Sequence, residues 1–311
     1  MNPAFSVVVF TALAGAAQGL ATAIAVALFT DVALSRQTLA AGLSLALAML
    51  LFALAASFLH LGRPERAWRA VLMWRTSWLS REVIVLPAFI GLIAIWFVIA
   101  QWGEPSALRD RLLPIAVMIG SVTLWYCTAM IYVCIRFIQE WAHPLTIANY
   151  LLTGLASGLV LFSALLWLTG DPARVGPAAA WALTVTVVAA LVRVASIRRN
   201  RRLVPRSTPQ SAIGVPHRTL VQTSMGMSGG SFNTREFMHG KAPALIARIR
   251  WIAIGLGFVV PALLLVGVLA GGSGGWLALA VPVQAVGLLA DRWFFFAQAR
   301  HPQNVYYQVV S

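Results

Sequence analysis

The chain has 311 residues, of which 60% are hydrophobic and only 10% charged. Soluble domains carry about 25% charged residues, so this composition excludes an ordinary soluble enzyme and indicates a polytopic membrane protein. The net charge of +14 comes from 23 Lys and Arg against 9 Asp and Glu. A basic soluble protein could bind nucleic acid, but here the arginines cluster between apolar runs. That pattern fits lipid headgroups and the positive-inside bias, and no nucleic-acid partner is expected.

A spanning helix needs about 20 mainly apolar residues. Eight stretches qualify: 4–29, 38–59, 82–100, 112–135, 145–168, 178–194, 249–269 and 276–296. The sixth is the weakest, because Arg193 shortens it. Trp102, Trp141, Trp251, Trp276 and Trp293 fall near the ends of these runs, as an aromatic belt places them. The first run has no basic n-region and is too long for a signal h-region, so it reads as a span and not a cleavable signal. Pro87, Pro114, Pro261 and Pro282 lie in or near spans, where proline is tolerated. No internal repeat of the transporter kind is present.

The connections alternate in charge. One side collects Arg63, Arg66, Arg69, Arg75 and Arg81, then Arg136, then a basic series from Arg198 to Arg248. The other side mixes Arg36, Arg109, Arg111 and Arg174 with Glu104, Asp110 and Asp171. The bias places the first side in the cytoplasm. The expected fold is an all-α membrane protein, an eight-helix bundle with both termini cytoplasmic. Residues 1–195 carry helices one to six, 196–248 form a soluble insert, 249–299 carry helices seven and eight, and 300–311 form a cytoplasmic tail. The insert opens with a basic run, SIRRNRRLVPR, that reads as a stop-transfer cluster. Its remainder is too long for a bare connection and richer in aromatics and methionine than disorder favours. It is expected to dock a cytoplasmic partner through Ser231, Phe232, Asn233, Arg235, Glu236, Phe237 and His239.

Ionisable residues inside spans are functional candidates, since burying them is costly unless they are paired. His60, Glu82, Arg136, Asp291 and Arg292 all map to the cytoplasmic leaflet. His60 titrates near neutrality and can donate or accept, though it could equally be a solvated helix end. Glu82 could pair with Arg81, Arg66 or Arg75. Asp291 and Arg292 are adjacent and cannot share a helical face, so each needs a partner on another helix, in which case their role is structural. Between His60 and Glu82 the chain repeats basic and aromatic residues: Arg66, Trp68, Arg69, Trp74, Arg75, Trp78. An aromatic–basic pocket suits a planar redox headgroup.

Cys127 and Cys134 read as small apolar residues. No CxxC or CxxCH is present, so no iron–sulfur cluster or covalent haem is expected in this chain, and no other metal site. Haem b needs two facing histidines. Of His60, His143, His217, His239 and His301, only His60 adjoins a span, which leaves haem b as a lesser alternative. A quinone (ubiquinone or menaquinone) fits better, since it needs hydrogen-bond donors, a proton relay and access from lipid. A secondary transporter is a further alternative.

The sequence LHLGRPERAW, followed by SWLSRE, resembles the eight-helix membrane anchor subunits of dimethyl sulfoxide reductase-type molybdoenzymes. The shared pattern falls on His60, Leu61, Gly62, Pro64 and Glu82; Asp291–Arg292 is similar more weakly. The resemblance implies quinol or quinone binding by His60 and Glu82, and the quinone site is expected beside helices two, three and eight, with Asp291 and Arg292 at its edge. Dimethyl sulfoxide reductase anchors hold their partners on the periplasmic side, whereas here the charge bias turns the motif to the cytoplasm. The insert SMGMSGGSFNTREFMHGK and the tail ARHPQNVYYQ look like those of anchors of cytoplasmic Soe-type sulfite dehydrogenases. That likeness implies a molybdopterin catalytic subunit and an iron–sulfur electron-transfer subunit on the cytoplasmic face of a bacterial inner membrane, passing electrons from sulfite to quinone. In this reading His60 hydrogen-bonds a quinone carbonyl, Glu82 relays protons, Trp74 lines the pocket, and Arg66 or Arg81 offsets negative charge on the headgroup. A reductase anchor for dimethyl sulfoxide or another oxyanion is the alternative.

Overall fold

The computed structural model describes residues 1–30, 34–59, 61–224, 232–238 and 243–307. Eight of its helices are long and apolar enough to cross a membrane: α1 (Phe5–Ala27), α2 (Arg36–Phe58), α3 (Trp78–Trp102), α4 (Leu108–Val133), α5 (Pro144–Leu168), α6 (Pro172–Arg201), α7 (Pro243–Leu269) and α8 (Gly275–Ala297). A 3-10 segment, Pro64–Met73, bridges α2 and α3. Short helical turns at Pro209–Ile213 and Phe232–Glu236 follow α6, and another at Pro302–Tyr306 follows α8. No β-strand occurs among the described residues.

Eight spans return the chain to the end of the bundle where it began. The two chain ends meet there: the Met1 ammonium donates to the carbonyls of Phe296 (2.9 Å) and Ala299 (3.3 Å), at the C-terminus of α8. The α2–α3 and α4–α5 connections lie at this same end, which also carries the arginine-rich segments and is called the basic end below.

Several boundaries differ from the hydropathy reading, among them those of the sixth, third and seventh spans. The sixth span is not the short 178–194 but the 30-residue Pro172–Arg201. Arg193 does not end it, because the guanidinium is buried and paired within the bundle. The third begins at Trp78, four residues before Glu82, with the Ser77 hydroxyl capping it by accepting from Ser80 N at 3.3 Å. The seventh begins at Pro243, where proline suits the first turn of a helix. The extensions of the sixth and seventh are amphiphilic helix ends that carry Arg198, Arg199, Arg201 and Arg248, which hydropathy alone assigns to loops.

Two of the four prolines sit just after π-turns. Leu108–Leu112 precedes Pro114, and Gly255–Val259 precedes Pro261. A proline removes one ladder hydrogen bond and crowds the carbonyl of the preceding turn. A single wide turn there absorbs the mismatch without breaking the span.

The centre is the crossing of α1 and α5. Both carry glycines four apart, Gly15/Gly19 and Gly154/Gly158. A Cβ on Gly19 would lie 2.0 Å from the Gly154 carbonyl oxygen, and one on Gly158 would lie 2.0 Å from the Gly19 carbonyl carbon. Only glycine allows the backbones this close, and close approach is what holds helices together where lipid supplies no hydrophobic drive. Around this axis α2, α3 and α4 pack in sequence on one side, while α6, α7 and α8 pack on the other.

Candidate functional site

Glu82 lies one turn into α3, and the helix cap at Ser77 turns it inward: its side chain is 5% exposed. The Thr128 hydroxyl of α4 donates to its carboxylate. Among the described residues no Arg, Lys or His lies within ion-pair distance of it. An isolated buried carboxylate is expensive, so a carboxyl held here by a neutral donor is a group for which gaining or losing a proton matters.

The arginines expected around it do other things. Arg81 points away and donates to the carbonyls of Trp74 (3.0 Å) and Arg75 (2.9 Å), while its guanidinium stacks 4.1 Å over the Trp78 ring. It thereby closes the end of the 3-10 segment onto the start of α3. Arg66 reaches only the exposed Glu65 at 3.8 Å, a contact of little energetic weight. Trp74 is half exposed and carries Arg75 at 5.4 Å from its ring centre. The segment from Leu61 to Ser77 is thus an aromatic–basic shelf at the membrane boundary, with Glu82 just beneath it. His60 lies outside the described residues.

Towards the bundle axis, an aromatic cluster separates Glu82 from α8. Tyr132, one turn beyond Thr128, stacks on Tyr150 (5.8 Å, 18°) and meets Trp141, Phe295 and Phe296 edge-on at 5.3–5.5 Å. On the far side the Arg292 guanidinium lies 3.8 Å over the Tyr150 ring and donates to Thr153 Oγ1 at 2.8 Å. Arg292 is 4% exposed and has no carboxylate within ion-pair distance among the described residues. Its neighbour Asp291 is taken by Arg193 of α6 at 2.5 Å. The sequence expectation that Asp291 and Arg292 find partners on different helices therefore holds. The structure does not bring Asp291 to Glu82; it makes it half of a buried ion pair.

The insert expected to dock a partner is partly turned inward. Asn233 is fully buried and donates to Asn304 Oδ1 at 2.6 Å, and Phe237 packs 5.0 Å from the His301 ring. Asn2 donates to the carbonyls of Arg235 and Glu236. These contacts stitch the segment to both chain ends, so Asn233 and Phe237 are internal packing. Phe232, Arg235 and Glu236 are exposed; Ser231 and His239 lie outside the described residues. Burial pushes the Met1 ammonium down to about 5, pushes the Glu140 carboxyl up and lowers His301.

Thr128, Tyr132, Tyr150 and Thr153 do not stand out in the sequence, and Arg193 stands out there only as a break in a span. One signal exists for two of them: Ser121, Thr128 and Tyr132 recur on one face of α4, at spacings of seven and four.

The family model described as DMSO reductase anchor subunit (DmsC) matches residues 1–281. The chain belongs to this family. It is also 48% identical, over all of both chains, to an Allochromatium vinosum protein named as the C subunit of sulfite dehydrogenase. It is 30% identical over 112 residues to the anaerobic dimethyl sulfoxide reductase chain YnfH of Escherichia coli, covering 36% of this chain and 39% of that one. As a DmsC-family protein, the chain is a multi-pass membrane anchor of a DMSO reductase-type oxidoreductase complex. The matched region contains Glu82, Thr128, Tyr132, Tyr150 and Arg193, and ends before Asp291.

Proposed function

We propose that this anchor is the quinone-reactive subunit of a sulfite dehydrogenase complex in a bacterial inner membrane, with its basic end in the cytoplasm. A molybdopterin subunit would oxidise sulfite there, and an iron–sulfur subunit would carry the electrons to the anchor. Family membership and the full-length likeness to a sulfite dehydrogenase subunit support the setting. The observation that carries quinone reactivity is Glu82, a carboxyl buried under an aromatic–basic shelf at the membrane boundary, hydrogen-bonded by Thr128 and free of any cation among the described residues.

These residues fit a quinone headgroup. The shelf offers flat aromatic faces, and the carboxyl beneath it offers a proton partner. A quinone bound there takes up two electrons and two protons on reduction. Glu82 holds the proton at its carboxyl oxygen and exchanges it with the cytoplasmic side. Thr128 fixes which carboxyl oxygen stays engaged. Trp74 and Trp78 keep bulk water from the carboxyl, and Arg81 holds the shelf to α3. His60 follows Leu59, the C-cap of α2, and in this reading hydrogen-bonds the headgroup. Protons and electrons arrive from the same side, so the step itself moves no charge across the membrane.

Glu82→Gln in the intact complex tests this. Quinone-linked sulfite oxidation should fall by about 10²-fold or more, the scale of a lost proton-transfer group. Sulfite oxidation with an artificial dye should be unchanged. Equal loss of both activities would sink the reading, and co-purifying subunits unable to oxidise sulfite would remove the substrate assignment alone.

A further inference from the structure

The basic end holds a cleft of about 790 Å³ that does not include Glu82 and lies on the opposite flank of the bundle. Its walls are the ends of α6 and α8, the start of α7, the α4–α5 connection, residues 203–209 and 237–238 of the insert, and the tail from Gln298 to Val305. It exists because α6 and α7 diverge. The later half of α7 packs on α6, whereas its first half, Pro243–Ile254, has its principal contact with α8. The result is a wedge between α6 and α7, floored by Phe294 and Ala297 of α8 and bordered towards the basic end by the insert and the tail.

The chemistry of the wedge is two-sided. Its apolar part includes Ile197, Ile246 and Phe294; Ile197 lies one turn deeper in α6 than Arg201. Its polar part carries four arginines, Arg201, Arg206, Arg250 and Arg300, against one carboxylate, Glu140. Glu140 is already flanked by Arg300 at 3.9 Å and by the Met1 ammonium. Arg201 and Arg250 have no ion pair among the described residues. Arg250 stands beside the exposed Trp251, 5.7 Å from its ring centre. A tryptophan there marks the headgroup level of a bilayer. Basic pockets between spans on this side of a membrane are suited to acidic headgroups.

We propose that the wedge between α6 and α7 binds one anionic phospholipid, its phosphate on Arg201 and Arg250 and an acyl chain along the partly exposed Ile246 of α7. A soluble partner would need a protruding acidic segment to reach these arginines. A lipid at the headgroup level meets them without leaving the bilayer.

The test uses the intact complex in nanodiscs of phosphatidylcholine with a minor fraction of phosphatidylglycerol, read by native mass spectrometry of the full chain. One phosphatidylglycerol should be retained per chain in preference to phosphatidylcholine. Joint Arg201→Gln and Arg250→Gln should lower retention by about fivefold for each charge removed, while Arg201→Lys with Arg250→Lys should keep it. Should the glutamine pair fail to assemble, the wild-type complex still decides: added salt must weaken phosphatidylglycerol retention and leave phosphatidylcholine unaffected. Equal retention of the two lipids, or retention indifferent to salt, overturns the proposal. Displacement by inorganic phosphate reassigns the site to free anions, and loss of the soluble subunits with lipid unchanged reassigns it to protein docking.

Discussion

Among the described residues, two carboxylates buried on the helices of the basic half, Asp291 and Glu82, are treated in opposite ways. Asp291 meets Arg193 at 2.5 Å, both side chains almost wholly buried, with a second guanidinium nitrogen 3.4 Å from the Asp291 carbonyl. Glu82 is equally enclosed but, among the described residues, receives only the hydroxyl of Thr128. The first arrangement is fixed: neither member can change its charge without stranding the other. The second is free to change, since no partner charge depends on it. Burial alone does not mark a reactive carboxylate; the identity of its partner does.

Breaking the fixed pair should give the largest effect on the protein itself. Arg193→Ala leaves a buried aspartate unpaired and should destabilise the fold by about 3–5 kcal/mol, read as loss of assembled complex in the membrane. Any complex that survives should keep the wild-type KM for quinone. Replacing the pair together, Arg193→Met with Asp291→Leu, should recover most of the lost protein. A double variant that assembles but cannot use quinone would move Asp291 into the reactive group and erase the contrast.

Thr128→Val sharpens the other side of the comparison. It removes the one donor to Glu82 while nearly preserving volume, and it should lower quinone-linked turnover about tenfold, the scale of a hydrogen bond to a charged group. The amount of complex should stay unchanged, and dye-linked activity should not move. Arg81→Gln should have a smaller effect, a few-fold at most, because Arg81 holds the shelf and does not touch Glu82. A loss as large as that of Glu82→Gln would instead restore Arg81 to the charge-stabilising role expected from sequence.

The smallest effect concerns pH. His301 packs against Phe137, Phe232 and Phe237 at 5.0–5.5 Å, and burial lowers its pKa from 6.5. Folding of the tail therefore favours the neutral ring. Its contribution is full above about pH 6.5, the value of the free side chain, and is lost as pH falls through the lowered value. Hydrogen exchange of the 302–306 turn should quicken below that range, and His301→Phe should abolish the change.

Much of this architecture is legible in the amino-acid order, because a bilayer permits few solutions: eight apolar runs give eight spans. The errors have one cause. Hydropathy scores each residue alone, while Arg193 is tolerable only because Asp291, distant in sequence, neutralises it. The same blindness starts the seventh span at 249 and misses the helical start at Pro243. Glu82 can be found because an acid at a span boundary stands out by itself. Thr128, Tyr132 and Tyr150 cannot, since a hydroxyl gains significance only from what lies opposite. The docking segment reads as surface from its polarity, yet Asn233 spends that polarity on Asn304.

The glycine crossing of α1 and α5 also bears on biogenesis. The span made first finds its closest neighbour only after three others have been threaded into the membrane. Until then its small-residue face is turned to lipid or to provisional neighbours. Its polar side chains are built for that wait: Thr11 donates to Val7 O at 2.9 Å and Gln18 donates to Ala14 O at 2.9 Å, both within the same helix. Insertion of α5 is thus the event that seats α1, and a chain truncated before it holds an α1 that has entered the membrane without its closest neighbour.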